Sequence, residues 1–482
     1  MNKKFVIEEL SYPLSSKTIS SLAQNLYFSF LDSGAGVYKD KLGRYSFLAT
    51  DPFLVVKSKG NSIWIMKKNR MENKKGNPFK VLREILNTLD IGPTPSDFPP
   101  FLGGGIGYLS YDLCHFIEKV PATARDDINA PDFFIAFYDR VLIIDHLLDK
   151  NFVAAILLPD DVISPRRKLE KLKQVLLEDP DPLAKSAADL ASGKEAPVKV
   201  PQIKSNFTRV RYLKAVEKAK EYIAAGDIYQ VNLSQRLQTN LDIPPFKLYK
   251  RLRSINPAPF AAYLNFGEVV VASSSPERFL KVVGKKVQTR PIKGTRPRGK
   301  NKKEDEILAR ELLNSEKDRA ELIMIVDLER NDLGKVCRYG SVKVKELVEL
   351  EAYPTVFHTV STVEGELFED KDRIDLLKAT FPGGSITGAP KIRAMEIIDE
   401  LEPTKRSVYT GALGYFGFNG TMDLNIVIRT FLIKENRAYF QVGGGIVADS
   451  DPEKEYQETL DKARALIQSL YKDSGNGIQN FC

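Results

Sequence analysis

The order of strand-like and helix-like segments constrains the fold of this chain more than any other feature of the sequence. Runs rich in β-branched and aromatic residues, bounded by turn residues, predict strands in 45–66, in 133–158 and in a meander over 408–447. Apolar residues at helical spacing predict helices in separate blocks, such as 208–226 and 304–314. Grouped strands and helices are typical of antiparallel sheets. The sequence therefore predicts an α+β fold with large, mostly antiparallel β-sheets flanked by helices.

A polar segment divides the 482 residues into two unequal regions. Residues 183–204 are small, polar and contain proline, a composition typical of a linker. The prediction is an N-terminal region over 1–182, a second region over 205–470 that carries the candidate site residues, and a tail over 471–482. Each region is long enough to bury a core.

Several classes of protein are excluded by simple counts. The charged N-terminus MNKKFVIEEL is not a signal peptide, and no apolar run is long enough to span a membrane. The three cysteines, Cys114, Cys337 and Cys482, are scattered. This spacing argues against a disulfide framework and predicts a reducing, cytoplasmic location. Three histidines in the whole chain exclude a histidine-rich metal site.

The net charge of +8 raises the question of nucleic acid. The basic residues form no single stripe, and the basic runs at 66–77 and 296–306 contain no interleaved aromatic residues for base stacking. We interpret 66–77 as a hairpin loop and both runs as solvated. Nucleic-acid binding is therefore not expected, whereas a small anionic substrate would suit a basic protein.

Lys293 is the most unusual lysine of the chain, in QTRPIKGTRPRGKNKK over 288–303. The stretch from Gly294 falls one residue short of a phosphate loop. Asn301 replaces the hydroxyl that holds magnesium in such loops, and Pro297 removes a backbone donor. A nucleotide-binding loop is thus disfavoured. Lys293 is then either a surface charge or a nucleophile.

Carboxylates supply candidate metal ligands. Glu455 and Glu458 are three apart in a predicted helix and share one face. Glu321 stands among apolar residues, where a buried acid needs a partner or a metal, and Glu277 follows a predicted strand. Two carboxylates on one face suit a hard divalent cation, although a solvated acidic face would give the same pattern.

Glycine-rich turns and one arginine suggest anion binding. The glycines at 443–445 and 383–384 are predicted to form strand-to-helix turns with free N–H groups. Arg429 has apolar neighbours at alternate positions, which predicts an inward side chain that binds a carboxylate. We place Tyr409 and Arg429 on neighbouring strands of the meander. Together these residues predict a site for a small, multiply anionic substrate.

Eight ordered blocks of the chain form one set of motifs: GDIYQVNLSQR, SSSPERF, RPIKGTRPRG, AELIMIVDLERNDLGKV, TFPGGSITGAPKIRAMEIIDELEP, YTGALGYF, LNIVIRT and VGGGIVADSDPEKEYQETLDKA. Together these blocks resemble the chorismate-utilising enzymes. This family includes anthranilate synthase component I, aminodeoxychorismate synthase component I, isochorismate synthases and salicylate synthases. The resemblance is dense over 205–470, extends loosely to 30–52 and 101–113, and implies the fold of that family.

Two positions point to one branch of that family. Isochorismate and salicylate synthases have a lysine that activates water where this chain has Gln230. Anthranilate synthases have alanine in PIAGT, where this chain has Lys293 in PIKGT. The resemblance therefore implies the aminodeoxychorismate synthase component I branch. Anthranilate synthase component I, or a non-catalytic binding module, is the alternative.

The resemblance also implies a mechanism. Mg²⁺ held by Glu321, Glu455 and Glu458 would bind the ring carboxylate of chorismate. Neutral Lys293 would attack C2 while the C4 hydroxyl leaves with a proton from Glu277, and ammonia would then replace the lysine by attack at C4. Lys293 can be neutral near pH 7 only if its pKa is lowered, and this requires burial or nearby positive charge.

Further residues are assigned by the same resemblance. Tyr409, Arg429, Gly444 and Gly445 would hold the enolpyruvyl carboxylate. His358 matches an active-site histidine whose role stays open. The residues expected around the rest of the substrate are Gln230, Gly294, Thr295 and Ser385.

Two partners are implied besides chorismate. The sequence shows no glutaminase-like Cys-His-Glu set, so ammonia is expected from a separate glutamine amidotransferase subunit. In some relatives the N-terminal region forms a tryptophan pocket, and FLDSG at 30–34 is the segment of this chain that would line one.

Overall fold

The computed structural model describes residues 4–12, 14–34, 42–67, 70–177, 202–353 and 356–471. All but the last three residues of the predicted linker, and the tail beyond Tyr471, lie outside this part of the chain. None of the described helices is both long and apolar enough to cross a membrane.

Strands form in the predicted runs at 45–66, 133–158 and 408–447, and also elsewhere. Those of the N-terminal region are β1 (Phe5–Glu9), β2 (Phe28–Asp32), β3 (Tyr45–Ala49), β4 (Leu54–Lys59), β5 (Ser62–Lys67), β6 (Arg70–Lys75), β7 (Gly104–Leu109), β8 (Phe133–Tyr138), β9 (Arg140–Asp145) and β10 (Lys150–Ile156). Those of the second region are β11 (Lys204–Ser205), β12 (Gln230–Asn240), β13 (Phe260–Asn265), β14 (Val270–Ser275), β15 (Arg278–Val283), β16 (Lys286–Arg290), β17 (Ile292–Pro297), β18 (Lys343–Ala352), β19 (Val356–Glu366), β20 (Gly388–Ala389), β21 (Ala412–Gly417), β22 (Met422–Ile426), β23 (Thr430–Lys434) and β24 (Arg437–Ile446).

Most of the described helices begin at a polar capping residue. The Asn301 and Ser315 side chains accept the N–H groups of Glu304 and Asp318 at the starts of two helices. The α-helices are α1 (Ser16–Leu22), α2 (Pro78–Thr88), α3 (Pro165–Leu177), α4 (Arg209–Ala224), α5 (Pro245–Ile255), α6 (Lys302–Leu313), α7 (Glu316–Gly334), α8 (Arg373–Thr380), α9 (Lys391–Leu401) and α10 (Pro452–Leu470). Short 3₁₀ helices cover Tyr111–Phe116 and Gly384–Ile386.

Two sheets of twelve strands each organise the described residues. The first follows the order β1-β10-β9-β3-β2-β13-β14-β23-β24-β12-β11, with β20 beside β12. The second follows β17-β19-β16-β15-β22-β21-β7-β8-β4-β5-β6, with β18 beside β19. The pairs at the centre, such as β2–β13 and β7–β21, are antiparallel. The predicted α+β class with large antiparallel sheets is confirmed.

Both sheets contain strands from both sides of the predicted linker. In the first sheet β2 pairs with β13, with Phe30 opposite Tyr263. In the second sheet β7 pairs with β21, with Gly107 opposite Gly414. The two sequence regions therefore share their hydrogen-bonded sheets, and the predicted boundary at 183–204 is not a boundary between sheets.

The basic segment 66–77 differs from the prediction. Instead of a hairpin loop throughout, half of it is β6, which pairs with β5 from Lys67–Arg70 to Ser62–Lys75. Cross-strand pairing at the sheet edge outweighs the polar composition of the segment. The charged side chains of an exposed edge strand also discourage pairing with another chain.

The main core lies between the two sheets. Phe47 and Val271 from the first sheet and Phe137 and Leu424 from the second belong to one cluster of buried side chains. A second cluster packs α3, α5 and α10 on the other face of the first sheet, and a third packs α4 and α9 against β12. This arrangement brings the ends of β12, β17 and β24 together with α7 and α10.

Candidate active site

Lys293 lies in β17, paired with Thr359 of β19. The pairing shifts register after Lys293, where Gly294 has φ +74°, and a Cβ on Gly294 would lie 2.8 Å from Thr359 Oγ1. The position therefore requires glycine. Lys293 is half-buried and its Nζ donates to the carbonyl oxygen of Ser385, 3.2 Å away. Lys293 is thus held inside the molecule and is not one of the basic run that follows it.

The charges around Lys293 shift its pKa in opposite directions. Burial lowers the pKa of Lys293, and the Lys462 ammonium lowers it further, while Glu321, Glu277 and Glu458 act in the opposite direction. The net pKa is below that of a free lysine. A larger fraction of this amine is therefore neutral, and so nucleophilic, than of an exposed lysine.

Glu277 lies against the same loop as Lys293. The residue is 4% exposed and follows β14. Burial raises the pKa of the Glu277 carboxyl, although the Ser385 hydroxyl, Lys293 and the Ile292 N–H lower it in part. Ser385 therefore contacts Lys293 through its carbonyl and Glu277 through its hydroxyl. A buried acid with a raised pKa is suited to give up a proton in a reaction.

The loop that carries Ser385 connects α8 to α9. Gly383 and Gly384 were expected to leave backbone N–H groups free for an anion. The free N–H groups stay a prediction, whereas the predicted strand-to-helix turn is wrong because the loop follows a helix. A Cβ on Gly384 would lie 2.6 Å from Leu328 Cδ2, and one on Gly383 would lie 2.8 Å from Ile426 Cδ1. These glycines therefore allow the loop to pack closely on α7 and β22.

Glu455 and Glu458 lie on the first turns of α10, on the face toward β24. Glu455 is buried, and its Oε1 accepts a hydrogen bond of 2.6 Å from Ser450, while its buried Oε2 has no partner in the described residues. Glu458 is 47% exposed and pairs with Lys462 at 2.6 Å. A Cβ on Gly444 would lie 3.1 Å from Glu455 Oε2 and 3.3 Å from Glu458 Oε1. Both carboxylates therefore face one point above Gly444.

The protonation of these two acids differs. Burial raises the pKa of Glu455, with Ser450 opposing and Glu458 adding to the shift. Burial also acts to raise the pKa of Glu458, but the charge and hydrogen bond of Lys462 outweigh it and the net pKa is lowered. Glu458 therefore keeps its negative charge to a lower pH than Glu455 does.

Glu321 lies on α7, and its charge acts to raise the pKa of Lys293. Burial raises the pKa of Glu321, while Lys293 and Lys317 lower it and Asp318 and Glu458 add to the increase. Across the described ranges, no three His, Cys, Asp or Glu side chains are close enough together to hold a metal ion. The unpartnered Glu455 oxygen and the chemistry of these carboxylates suit a hard divalent cation, but the three side chains would have to move closer together to hold one. Glu458 would first have to leave Lys462.

The glycines at 443–445 do not form the predicted turn. They lie within β24 and pair with Ser234, Leu233 and Asn232 of β12. The strand continues because β12 provides a pairing partner over this length. The missing side chains make room for others: a Cβ on Gly445 would clash with Gln230 Nε2, and Gly444 faces the two carboxylates.

Gln230 begins β12 beside Gly388 and Ala389 of β20. It is 1% exposed, and its Oε1 has no hydrogen-bond partner among the described residues. Because buried polar atoms are normally hydrogen-bonded, an orphaned amide oxygen at this place is consistent with a ligand-binding role.

Tyr409 and Arg429 are in turns, so their predicted place on neighbouring strands is wrong. Tyr409 is buried in the segment before β21, and Arg429 follows β22 with φ +52°. Arginine at positive φ is strained, a conformation often found at functional sites. Burial lowers the pKa of Arg429, and no carboxylate in the described ranges acts on that pKa. Its guanidinium lies at a cavity of about 40 Å³ and is available to an anion.

His358 and Thr295 line the same cavity as Arg429. The Thr295 hydroxyl and His358 Nδ1 are 2.9 Å apart. Burial and the Arg429 charge lower the pKa of His358 to about 4. His358 is therefore a neutral imidazole at neutral pH, able to donate or accept one hydrogen bond but not to act as a cation.

A model of the chorismate binding enzyme family matches residues 38–468. The chain belongs to the chorismate binding enzymes. Aminodeoxychorismate synthase component 1 of Bacillus subtilis (strain 168) is 42% identical over 428 residues, which are 89% of each chain. Anthranilate synthase component 1 of Acetivibrio thermocellus is also 42% identical, over 434 residues that cover 89% of this chain and 88% of the relative. Sequence identity therefore shows the family but does not distinguish the aminodeoxychorismate synthase branch from the anthranilate synthase branch.

Solved structures agree with the fold of this chorismate binding enzyme. The crystal structure of anthranilate synthase component I from Streptococcus pneumoniae TIGR4 superposes with a TM-score of 0.74 at 34% identity, covering 88% of this chain and 92% of that one. The menaquinone-specific isochorismate synthase MenF of Escherichia coli shares the fold with a TM-score of 0.71 at 17% identity. The predicted family and its fold are confirmed.

The sequence analysis missed several charged residues near the carboxylates of this chorismate binding enzyme. Lys317 and Lys462 act on the pKa of Glu321, Glu455 or Glu458, and Asp318 raises that of Glu321. A helical spacing of four places Lys462 beside Glu458 and Lys317 beside Glu321, so this signal was present in the sequence.

The segment expected to line a tryptophan pocket borders a separate cavity. Leu31 and Asp32 line a space of about 70 Å³ together with Tyr45, Pro259 and Tyr415. The Asp32 carboxylate accepts a hydrogen bond of 2.8 Å from Tyr249 and pairs with Arg253. A cavity therefore exists where the resemblance placed one, and its ligand stays a prediction.

Proposed function

We propose that this chain is aminodeoxychorismate synthase component I, which converts chorismate and ammonia to 4-amino-4-deoxychorismate for p-aminobenzoate and folate synthesis. The observation that carries the proposal is the contact of Lys293 with Ser385, beside the buried acid Glu277. Anthranilate synthases have alanine at the Lys293 position, and a buried lysine in the site gives the reaction a covalent route that alanine lacks.

Lys293 acts as the nucleophile of the first step. Its neutral amine forms a bond to C2 of chorismate, the two ring double bonds shift, and the C4–O bond breaks. The departing oxygen takes the proton of Glu277 and leaves as water. The lowered pKa of Lys293 and the raised pKa of Glu277 both increase the fraction of molecules in the protonation state that this step needs.

Ammonia completes the reaction in the second step. Its nitrogen bonds to C4, the double bonds return, and the bond between C2 and Lys293 breaks so that the lysine leaves as a neutral amine. The new C4 ammonium gives one proton to the Glu277 carboxylate. The sum is chorismate plus ammonia to aminodeoxychorismate plus water, and both residues return to their starting forms.

The residues proposed to hold Mg²⁺ are Glu321, Glu455 and Glu458. The support is the unpartnered Glu455 oxygen and the shared orientation of Glu455 and Glu458 over Gly444. When bound, Mg²⁺ would supply positive charge against the ring carboxylate.

The second carboxylate, on the enolpyruvyl group, is assigned to Arg429 and Tyr409. Arg429 is supported by its guanidinium at the cavity, and His358 beside it is proposed as a neutral hydrogen-bonding group for the same end of the substrate. Gln230 and Gly445, which meet at the end of β12, are placed at the substrate with Gly444. Thr295 would orient His358 through their shared hydrogen bond.

The nitrogen source is proposed to be a separate glutamine amidotransferase subunit. Glutamine hydrolysis needs an activated thiolate, yet Cys114 and Cys337 are buried and burial raises the pKa of each thiol, that of Cys337 to about 11. Neither is suited to that chemistry. A cytoplasmic location and tryptophan binding near Leu31 and Asp32 also remain parts of the proposal.

One assay tests the proposal. The pure chain is incubated with chorismate, Mg²⁺ and ammonium, and the products are separated by chromatography. We expect aminodeoxychorismate, no product from glutamine alone, and product from glutamine once an amidotransferase subunit is added. Anthranilate, which fluoresces and needs no further enzyme to become aromatic, would instead assign the chain to the other branch.

A further inference from the structure

Arg406 lies at the base of the candidate site and is almost completely enclosed. Its side chain is 1% exposed and that of its ion-pair partner Glu402 is 2% exposed. Arg406 Nη2 donates to Glu402 Oε1 at 2.7 Å and Nε donates to Oε2 at 2.9 Å. Glu402 is itself fixed by the N–H and hydroxyl of Ser234, at 2.9 and 2.6 Å. The pair is therefore bidentate and firmly anchored to β12.

The remaining donors of Arg406 reach three different segments. Nη1 donates to the carbonyl of Ile386 at 3.0 Å and to the Thr410 hydroxyl at 3.3 Å, and Nη2 donates to the carbonyl of Asn232 at 2.6 Å. Ile386 follows Ser385, Thr410 follows Tyr409, and Asn232 is two residues beyond Gln230. One planar group thus contacts each of the segments that bring Ser385, Tyr409 and Gln230 to the site.

The Thr410 segment is held in an unfavourable conformation. Thr410 has φ +59°, which is rare for a β-branched residue, and its hydroxyl donates to the Tyr409 carbonyl at 2.6 Å. The guanidinium carbon of Arg406 lies 5.7 Å from the centre of the Tyr409 ring. Strain of this kind persists only where surrounding contacts hold it, and Arg406 supplies several of those contacts.

A buried ion pair is weak evidence for stability, because desolvation of the two charges offsets most of their attraction. An arginine with donors to two carbonyls, a hydroxyl and a carboxylate in fixed directions can instead define relative positions. We propose that Arg406, held by Glu402, is a positioning residue that fixes the Ser385 loop and the Tyr409 turn relative to each other. The proposal rests on the proposed function only for the roles of Ser385 and Tyr409.

The test begins with Arg406→Lys, which keeps the charge and an ion pair with Glu402 but loses the planar fork. Small displacements at a reacting centre cost about 10²-fold in rate. We expect a folded protein with kcat lowered by about 10 to 100-fold and a higher KM for chorismate. Hydrogen exchange, measured without substrate, should become faster in the peptide spanning 381–390.

The matched control is Lys168→Met on α3. Lys168 is also buried, its side chain is 5% exposed, and it pairs with Asp139 at 2.8 Å, away from the site residues. We expect a lower melting temperature with kcat and KM per folded molecule unchanged, and unchanged exchange in 381–390. If Lys168→Met reproduced the losses of Arg406→Lys, general destabilisation would explain both and the proposal would be overturned.

Thr410→Val provides a second test if Arg406→Lys fails to fold. It removes one acceptor of Arg406 and the bond to the Tyr409 carbonyl while keeping the shape of the side chain. We expect a several-fold higher KM. A folded variant at either position with wild-type kinetics and wild-type exchange would overturn the proposal. If the wild-type chain makes anthranilate or consumes no chorismate, the proposed function fails, while the exchange comparison still decides the role of Arg406.

Discussion

The two sides of the candidate site differ in how completely they are assembled. On the nucleophile side, Lys293 already donates to Ser385, and Ser385 already contacts Glu277. On the carboxylate side, Glu458 pairs with Lys462 and the Oε2 atom of Glu455 has no partner. The side chains of the nucleophile side therefore have protein partners, whereas the carboxylate side keeps an oxygen with no hydrogen-bond partner in the described part of the chain.

This difference shows which interactions hold the side chains of each side in place. A lysine and a carboxylic acid can satisfy one another through a shared loop, so their geometry needs no ligand. Carboxylates that face one point repel each other unless a cation lies between them. Changes on the nucleophile side should therefore act on the chemical step, and changes on the carboxylate side on the dependence upon Mg²⁺.

Lys293→Ala is expected to have the largest effect, because it removes the covalent route. We expect a loss of roughly 10³-fold or more in the rate of C4 amination, comparable to loss of other enzyme nucleophiles. Any residual ammonia attack should move toward C2. Wild-type enzyme with chorismate and Mg²⁺ but no nitrogen source should carry the mass of chorismate minus water on the peptide with PIKGTR.

Lys293→Arg serves as the control, since a guanidinium stays protonated and cannot restore the reaction. Quantitative chromatography of the products would decide the matter. Aminodeoxychorismate formed by the alanine variant at the wild-type rate would make Lys293 a binding residue and remove the contrast between the two sides.

Glu277→Gln is expected to cost about 10² to 10⁴-fold in kcat, the usual contribution of general acid catalysis. The wild-type pH profile should be bell-shaped, because the reaction needs a protonated Glu277, with its raised pKa, and a neutral Lys293, with its lowered pKa. The glutamine variant should lose one limb and keep only the rise with pH that reports Lys293. An unchanged bell in kcat/KM would exclude Glu277 as the acid.

Glu458→Gln should weaken Mg²⁺ binding about tenfold or more, because it removes a charge from the proposed ligand set. Titration calorimetry with Mg²⁺ measures this without turnover. The matched control is Glu453→Gln on the same helix, where Glu453 is 54% exposed and pairs with Arg209 at the surface. Equal effects of the two substitutions would show that Glu458 is an ordinary surface carboxylate and not a Mg²⁺ ligand.

Gly444→Ala is expected to have the smallest effect. Its new methyl would lie 3.1 Å from Glu455 Oε2 and 3.3 Å from Glu458 Oε1, so both carboxylates must shift slightly. We expect a several-fold weaker apparent affinity for Mg²⁺, measured as the Mg²⁺ dependence of the rate. Gly334→Ala, where a Cβ meets nothing within 4 Å, should leave that dependence unchanged. Identical profiles for both variants would show that Gly444 does not shape the carboxylate side.

Much of the fold was readable from the sequence because its signals are local. Residues 45–66 and 133–158 are runs rich in β-branched and aromatic residues between turns, and they form β3–β5 and β8–β10. Apolar residues at helical spacing likewise predicted a helix at 304–314, which is α6. The edge strand β6 was missed, because its polar residues carry no strand signal and only pairing with β5 stabilises it.

The sequence by itself determined the identity of the chemical groups: a lysine in PIKGT, a glutamine in place of a water-activating lysine, and carboxylates at helical spacing. Only the tertiary structure decided where those groups lie and which charges surround them. Lys293 reaches Ser385 across 92 positions of sequence, and Gly443–445 extend β24 because β12 pairs with them. Arg406 joins three distant segments. Such contacts depend on how two sheets and their helices pack, and a local pattern of residue types contains no information about that packing.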